Sequence, residues 1–82
     1  MIDYVKELDA VVDLVVEIVE ELEDNEETAN IVGVIKKAKE RNRGNGNTLI
    51  RDAIMTAGGR GKLKIRRIPP NQYLLELPNK KV

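Results

Sequence analysis

The side chains with the clearest chemical potential are three bases that follow a glycine-rich segment. Lys62, Lys64 and Arg66 recur at a spacing of two, and the segment 58–61 before them contains three glycines. Alternate residues of a β-strand point to the same face, so these bases would form one cationic row. Glycines let an anion approach the backbone amides, and a cationic row can follow successive phosphates. The pattern therefore predicts contact with a phosphate-bearing polymer.

Seven basic residues make up the predicted contact surface. They are Arg43, Arg51, Arg60, Lys62, Lys64, Arg66 and Arg67. An alternative explanation for the bases of the strand is solubility, because outward charges discourage edge-to-edge aggregation. Mixed charges serve solubility equally well, however, and Glu76 is the only acid of the predicted hairpin. The uniform sign of the charges therefore favours binding.

The two parts of the chain carry opposite charges that cancel. Residues 1–30 contain eleven acids and one lysine, a formal charge of −10, whereas residues 31–82 contain thirteen bases and three acids, a formal charge of +10. Such asymmetry is typical of proteins that contact nucleic acid. It also indicates an acidic segment that regulates, mimics or screens that contact.

The composition excludes most catalytic templates. Without cysteine or histidine, the chain lacks a thiol nucleophile, a disulfide and the commonest metal ligands. The acids of the first predicted helix fall on solvent-facing positions, which do not split carboxyl pKa values as acid–base catalysis requires. A Walker motif would need a glycine where Thr56 stands and a serine or threonine where Leu63 stands. We expect no enzymatic activity, no cofactor and no metal site.

The acidic part of the chain contains a regular aliphatic seam. Its members are Val5, Leu8, Val12, Val15, Val19 and Leu22. Their alternating spacing of three and four predicts an amphipathic helix over about residues 2–23. The seam predicts either a homodimer or packing within the chain's own core. Acids crowd the C-terminal end of this helix, where the helix dipole disfavours them, so we expect basic groups nearby.

A second helix is predicted over about residues 26–41. Asp24 and Glu27 have the spacing of a capping box, and lysines and arginine gather in the last turns, where cations suit the dipole. That cluster is explained either by the dipole or by a binding role. The predicted apolar stripe consists of Ile31, Val32, Ile35 and Ala38, with Val34 alongside.

A short third helix and a hairpin complete the predicted fold. Asn47 or Thr48 can cap the helix, and the pair at 58–59 supplies its C-terminal stop. Alternation over 62–66 and 73–77 predicts two strands joined by a proline-containing turn. The prediction is an α+β fold with three helices followed by a C-terminal β-hairpin. Residues 1–78 would form one small domain, with an acidic helix and a basic part over about 26–77, and residues 79–82 a flexible tail.

This order of elements resembles that of winged-helix domains. The resemblance implies that the third helix reads the major groove of DNA and that the hairpin is the wing. The third helix offers few side chains to bases, namely Thr48, Arg51, Asp52 and Thr56. We therefore expect phosphate contacts to dominate, with little direct readout of sequence.

The leading hypothesis is a small nucleic-acid-binding protein, with DNA rather than RNA as its partner and a homodimer as its assembly. The alternative is a protein–protein interaction module or inhibitor, in which the acidic helix mimics nucleic acid and docks on a basic protein partner. A third hypothesis is head-to-tail association of copies through their opposite charges. The longest apolar run, residues 31–35, is far shorter than a membrane span, so we expect a cytoplasmic protein with no membrane contact.

Overall fold

The computed structural model describes residues 4–41 and 46–78. Three helices precede a two-stranded antiparallel hairpin, which confirms the predicted α+β fold and its order of elements. The elements are α1 (Tyr4–Asp24), α2 (Ile31–Arg41), α3 (Asn47–Gly59), β1 (Lys64–Ile68) and β2 (Gln72–Glu76). No helix in the described ranges is both long enough and apolar enough to cross a bilayer. Arg43 and the predicted tail at 79–82 lie outside the described residues.

The hydrophobic core is aliphatic and lies where the helices meet the hairpin. Among residues 4–41 and 46–78, no polar or charged residue is buried. The buried residues of α1 are Val11, Val12, Val15, Ile18, Val19 and Leu22. Full burial of a valine, leucine or isoleucine side chain stabilises a fold by roughly 1.5–3 kcal/mol. The most extensive contact between helices joins α1 to α3, so the acidic helix is the main support of the short third helix.

The aliphatic seam of α1 packs in the chain's own hydrophobic core. Its four C-terminal members are buried, Leu8 is half-buried, and only Val5, at 59% exposure, faces solvent. Of the two predicted uses of the seam, the structure shows packing in the chain's own core. A dimer that used the buried members would require this core to open. The predicted homodimer would therefore need a different surface.

The start of α2 differs from the prediction by five residues, since the helix begins at Ile31 rather than near residue 26. Asp24 and Glu27 consequently do not cap it. The side-chain Oδ1 of Asn30 instead accepts a hydrogen bond from the backbone N–H of Gly33 at 2.7 Å, the geometry of an N-cap. The preceding residue is held by the hairpin, because the N–H of Leu75 donates to the carbonyl of Ala29 at 2.7 Å. Because residues 29 and 30 pair with β2, α2 begins only at Ile31.

The predicted apolar stripe of α2 is partly wrong. Val34 and Ala38 are fully buried, whereas Val32 is 73% exposed. Residues four apart lie on the same side of a helix, while residues two apart point in nearly opposite directions. Once Val34 and Ala38 face the core, Val32 must face solvent.

The ends of α3 also differ from the prediction. Gly46 occupies the N-cap position without a side-chain cap, and Asn47 and Thr48 lie inside the helix, so neither caps it. Gly58 and Gly59 are the last two residues of α3 rather than its stop. The helix continues through both because neither takes a left-handed backbone conformation.

Each of α1 and α3 is terminated by a residue whose backbone has a left-handed conformation. In α3 this residue is Gly61, with φ of 77°, and the N–H of Lys62 donates to the carbonyl of Ala57 at 2.9 Å. In α1 it is Glu26, with φ of 59°. Both ends have the Schellman arrangement, in which two backbone bonds close the last turn. The stop after α3 therefore also directs the chain from the helix into the hairpin.

The strands are shifted relative to the prediction, since β1 begins at Lys64 rather than Lys62 and β2 begins one residue early, at Gln72. Their register pairs Ile65 with Leu75, which is buried, and Arg67 with Tyr73. The intervening turn contains a cis peptide bond between its two prolines. An isolated antiparallel β-bridge also joins Asn30 to Leu74. The hairpin is thereby attached to the segment that precedes α2.

Candidate nucleic-acid interface

The outward face of β1 carries bases, as the alternation predicts. Lys64 and Arg66 are exposed, and Ile65 between them is half-buried. The Nη1 atom of Arg66 lies 3.5 Å from Oε1 of Glu76 in the neighbouring strand. Lys64 lies opposite Glu76 in the register but forms no ion pair within the described residues. The single acid of the hairpin therefore neutralises one of these two bases.

Arg67 lies on the other face of the hairpin, near its turn. It is paired with Tyr73, and both side chains are exposed. The side chains of Ile65 and Leu75 on this face pack against the core, but the core does not extend as far as Arg67, which is exposed. No described carboxylate forms an ion pair with Arg67. The hairpin therefore presents cationic groups on both faces.

The bases of the glycine-rich segment contact acids of α1. Arg60 donates from Nη1 to Oδ1 of Asp9 at 2.6 Å. The Nζ atom of Lys62 lies 3.6 Å from Oδ1 of Asp13. Arg60 directly follows α3, which packs on α1, and the left-handed turn at Gly61 keeps the chain beside α1 at Lys62. The two partners are exposed, so water and salt screen both pairs.

The exposed side of α3 continues toward the hairpin. Arg51 is exposed, and Met55, one turn later on the same side, is 64% exposed. Met55 and Lys64 line the same surface depression. Arg51 forms no ion pair with any residue in the two described ranges. The side of α3 that carries Arg51 and Met55 thus adjoins the basic strand at Lys64.

A carboxylate interrupts the positive charge of α3. Asp52 accepts a hydrogen bond from the hydroxyl of Tyr4 at 2.6 Å. This hydrogen bond raises the pKa of Tyr4 above its usual value of 10.0. Asp52 follows Arg51 directly, and it would repel a phosphate placed near the start of α1. We therefore expect contacts to fall on the side of α3 that faces the hairpin.

The expected basic group near the C-terminal end of α1 is Arg41 of α2. Its guanidinium binds both carboxylate oxygens of Glu21, at 2.7 and 2.5 Å. Hydrogen bonding from Arg41 lowers the pKa of Glu21 below its usual 4.5, and the charge of Lys37 contributes in the same direction. The same contact raises the pKa of Arg41. Part of the basic cluster of α2 thus compensates the acidic end of α1.

The seven predicted contact residues divide into three groups. Arg51, Lys64 and Arg67 are exposed and form no ion pair in the described part of the chain. Arg60, Lys62 and Arg66 are ion-paired, the first two with α1. Arg43 lies outside the described residues. Lys64 shares a depression with Met55, which lies one turn after Arg51 on α3, whereas Arg60 and Lys62 are held against the acidic helix.

The sequence prediction missed two exposed residues near the hairpin turn. Tyr73 is 39% exposed, and Asn30, which falls inside the predicted second helix, instead caps it. The position of Tyr73 at the start of the predicted second strand, next to the turn, was the available signal. Among the described residues, no group of three or more acidic, histidine or cysteine side chains could hold a metal ion.

Comparisons with protein-family models, with curated proteins and with solved structures find no match to this chain. The function is therefore inferred from its own residues and their geometry.

Proposed function

We propose that this protein binds nucleic acid through phosphate contacts made by the exposed side of α3 and the hairpin. The observation that carries the proposal is the set formed by Arg51, Lys64 and Arg67. All three are exposed and lack an ion-pair partner in residues 4–41 and 46–78. A cation without an intramolecular partner is free to replace a counterion of the nucleic acid, and that release supplies non-specific affinity.

The arrangement of the surface supports phosphate contact rather than direct readout of bases. Arg51 and Lys64 are separated by Met55, which lines a depression together with Lys64. The exposed side of α3 carries few hydrogen-bonding side chains, and Asp52 is already bonded to Tyr4. Phosphate contacts fix the position of a protein on its ligand without selecting a sequence. We expect duplex DNA, bound in the cytoplasm with little sequence preference, to be the main ligand.

The salt dependence of binding tests this proposal. The three unpaired bases, with or without Arg66, would make three to four phosphate contacts. Each contact contributes about −0.9 to the slope of log K against log salt concentration, so the expected slope on duplex DNA is about −3 to −4. The titration is run on duplex DNA, single-stranded DNA and RNA. A binding constant that does not change with salt on any of them would contradict the proposal.

A charge-matched pair of variants tests the three unpaired bases, which lie on α3 and on the two faces of the hairpin. The first variant replaces Arg51, Lys64 and Arg67 by alanine, and the second replaces three lysines of α2 by alanine: Lys36, Lys37 and Lys39. Both lose three positive charges. The proposal expects the first variant to lose most of its affinity and slope and the second to lose much less. Equal losses would mean that binding follows net charge rather than this surface.

A specific observation also favours a second candidate, the protein-interaction module. Asp13, Glu17 and Glu20 of α1 line one depression together with Lys62. Glu17 and Glu20 are exposed and form no ion pair within the described residues, so they are available to a basic protein partner. The variant with Glu17→Gln and Glu20→Gln separates the two candidates. It should retain or raise affinity for DNA under the first, and lose binding to an oligolysine peptide under the second.

The predicted homodimer and the head-to-tail association remain proposals with one common test. The mass of the protein is measured by light scattering at low and high salt. A dimer held by apolar contacts keeps its mass as salt rises, whereas association through opposite charges dissolves. A monomeric mass at both salt concentrations would contradict both proposals.

A further inference from the structure

We propose that a depression between the hairpin turn and the start of α2 binds an unpaired nucleobase, with Tyr73 as its stacking surface. This inference rests on the proposed nucleic-acid binding and names a second kind of contact. The depression is lined by Asn30, Ile31, Val32, Asn71, Gln72 and Tyr73. Its volume is about 290 Å³. That volume is near the lower end of the range for small-molecule sites.

The depression exists because two segments far apart in sequence meet at a bridge. Asn30 pairs with Leu74 of β2, which brings the first turn of α2 beside the hairpin turn. The side-chain oxygen of Asn30 caps α2 through Gly33, which fixes the orientation of that amide. The site is therefore built on a paired strand and a capped helix.

Its chemistry combines an aromatic ring with side-chain amides and exposed apolar groups. Tyr73 is 39% exposed and Val32 is 73% exposed, and neither is needed to fill the core. Asn71 and Gln72 add two exposed amides, each of which carries a hydrogen-bond donor and an acceptor. Unpaired bases are bound by stacking on aromatic rings and by hydrogen bonds along their polar edges. The lining of the depression offers both.

Arg67 supplies the phosphate contact that such a site needs. It lies directly opposite Tyr73 in the hairpin, on the same face, and forms no ion pair in the described part of the chain. Side chains directly opposite one another in an antiparallel pair have Cβ atoms about 5 Å apart. A base stacked on the Tyr73 ring would therefore hold its backbone phosphate within reach of the Arg67 guanidinium. A fully paired duplex does not offer a base in this way.

Tyrosine fluorescence can test the contact, because the chain contains two tyrosines and neither tryptophan nor phenylalanine. In the Tyr4→Phe variant, Tyr73 is the only tyrosine and its emission reports on its own surroundings. The ligands are a fully paired DNA duplex, the same duplex with one unpaired base, and single-stranded DNA and RNA of matched length. We expect quenching by the last three ligands and little change with the paired duplex. Quenching by DNA but not RNA, or the reverse, identifies the source of the base.

Affinity measurements on two further variants complete the test. Base–aromatic stacking is worth about 5- to 160-fold in affinity, so Tyr73→Ala should weaken binding of ligands with an unpaired base by a factor in that range. Tyr73→Phe retains the ring and should stay close to the unsubstituted protein. Both variants should bind the fully paired duplex equally well. Circular dichroism confirms that each variant is folded.

The outcomes separate this inference from the proposed function. If Tyr73→Ala binds every ligand as tightly as the unsubstituted protein, and Tyr73 emission does not respond to unpaired bases, the base site is overturned while phosphate binding stands. If no ligand binds with a dependence on salt, the proposed function fails and the base site fails with it.

Discussion

Residues 60–62 and residues 64–67 are two cationic segments that follow one another in the sequence, and the fold gives them different surroundings. Arg60 and Lys62 lie beside α1 and are paired with Asp9 and Asp13. Lys64, only two residues after Lys62, lies on the hairpin and forms no ion pair in the described residues. The chain leaves the side of α1 between these residues. The comparison teaches that the availability of a base depends on which carboxylates the fold places beside it, since Arg66 of the hairpin is itself paired with Glu76.

The largest expected effect comes from removing two bases from each segment in turn. One phosphate contact contributes about 0.9 log units to the binding constant at about 0.1 M salt, so two contacts are worth about 60-fold. The variant with Lys64→Ala and Arg67→Ala should therefore bind duplex DNA about 60-fold more weakly. The variant with Arg60→Ala and Lys62→Ala, which loses the same charge, should lose less than about 5-fold because these bases are already paired. Fluorescence anisotropy of a labelled duplex measures both, and equal losses would contradict the comparison.

The next effect comes from releasing the paired bases. The variant with Asp9→Asn and Asp13→Asn should free Arg60 and Lys62 for phosphate and raise affinity for DNA by about 10-fold. Its salt slope should steepen by about one to two. The control is Glu7→Gln with Glu20→Gln, which removes the same charge from α1 without touching either pair. If the control raises affinity as much, the gain reflects the overall charge of α1.

A smaller effect concerns the contribution to stability of the packing between the end of α3 and β1. A Cβ atom at Gly58 would lie 2.8 Å from Cδ1 of Ile65, the residue that anchors β1, whereas one at Gly59 would meet nothing within 4 Å. Gly58→Ala should therefore leave the protein about 1–2 kcal/mol less stable than Gly59→Ala does, because overpacking against Ile65 offsets the gain in helix propensity that both substitutions bring. Gly59→Ala should stabilise it by up to about 0.5–1 kcal/mol through helix propensity. Urea unfolding measures both, and a loss at Gly59 equal to that at Gly58 would argue against this packing of the hairpin.

The smallest effect is a pH dependence at the far end of α1. Because Arg41 lowers the pKa of Glu21 in the folded state, the contribution of this contact is complete above pH 4.5. It is lost as the pH falls through the lowered pKa of Glu21. In Glu21→Gln, the fall in stability below pH 4.5 should be shallower than in the unsubstituted protein. Thermal unfolding followed over this pH range measures the difference, and identical profiles would show that the contact adds nothing.

The structural features that depend on local periodicity were predictable from the sequence. The spacing of Val12, Val15 and Val19 identified the buried side of α1, and the alternation after Leu63 identified the strand and its outward bases. These patterns follow directly from the repeats of helix and strand. The order of the elements was predicted for the same reason.

The remaining features depend on contacts between distant segments. Asn30 caps α2 because β2 pairs with Ala29 and Asn30, and no local pattern includes that pairing. Glu26 takes a left-handed conformation without the glycine that would have indicated it. The pairing of Arg60 and Lys62 depends on how α1 packs beside the end of α3. Charge counting along the chain therefore predicted the signs of the two surfaces but not which bases remain available.

The salt slope of duplex DNA binding in the two double variants tests the central claim most directly. We predict that Lys64→Ala with Arg67→Ala lowers the steepness of the slope by about two, while Arg60→Ala with Lys62→Ala leaves it within about 0.5 of the unsubstituted protein. The opposite ranking would contradict the claim that the hairpin, rather than the glycine-rich segment, contacts the phosphates.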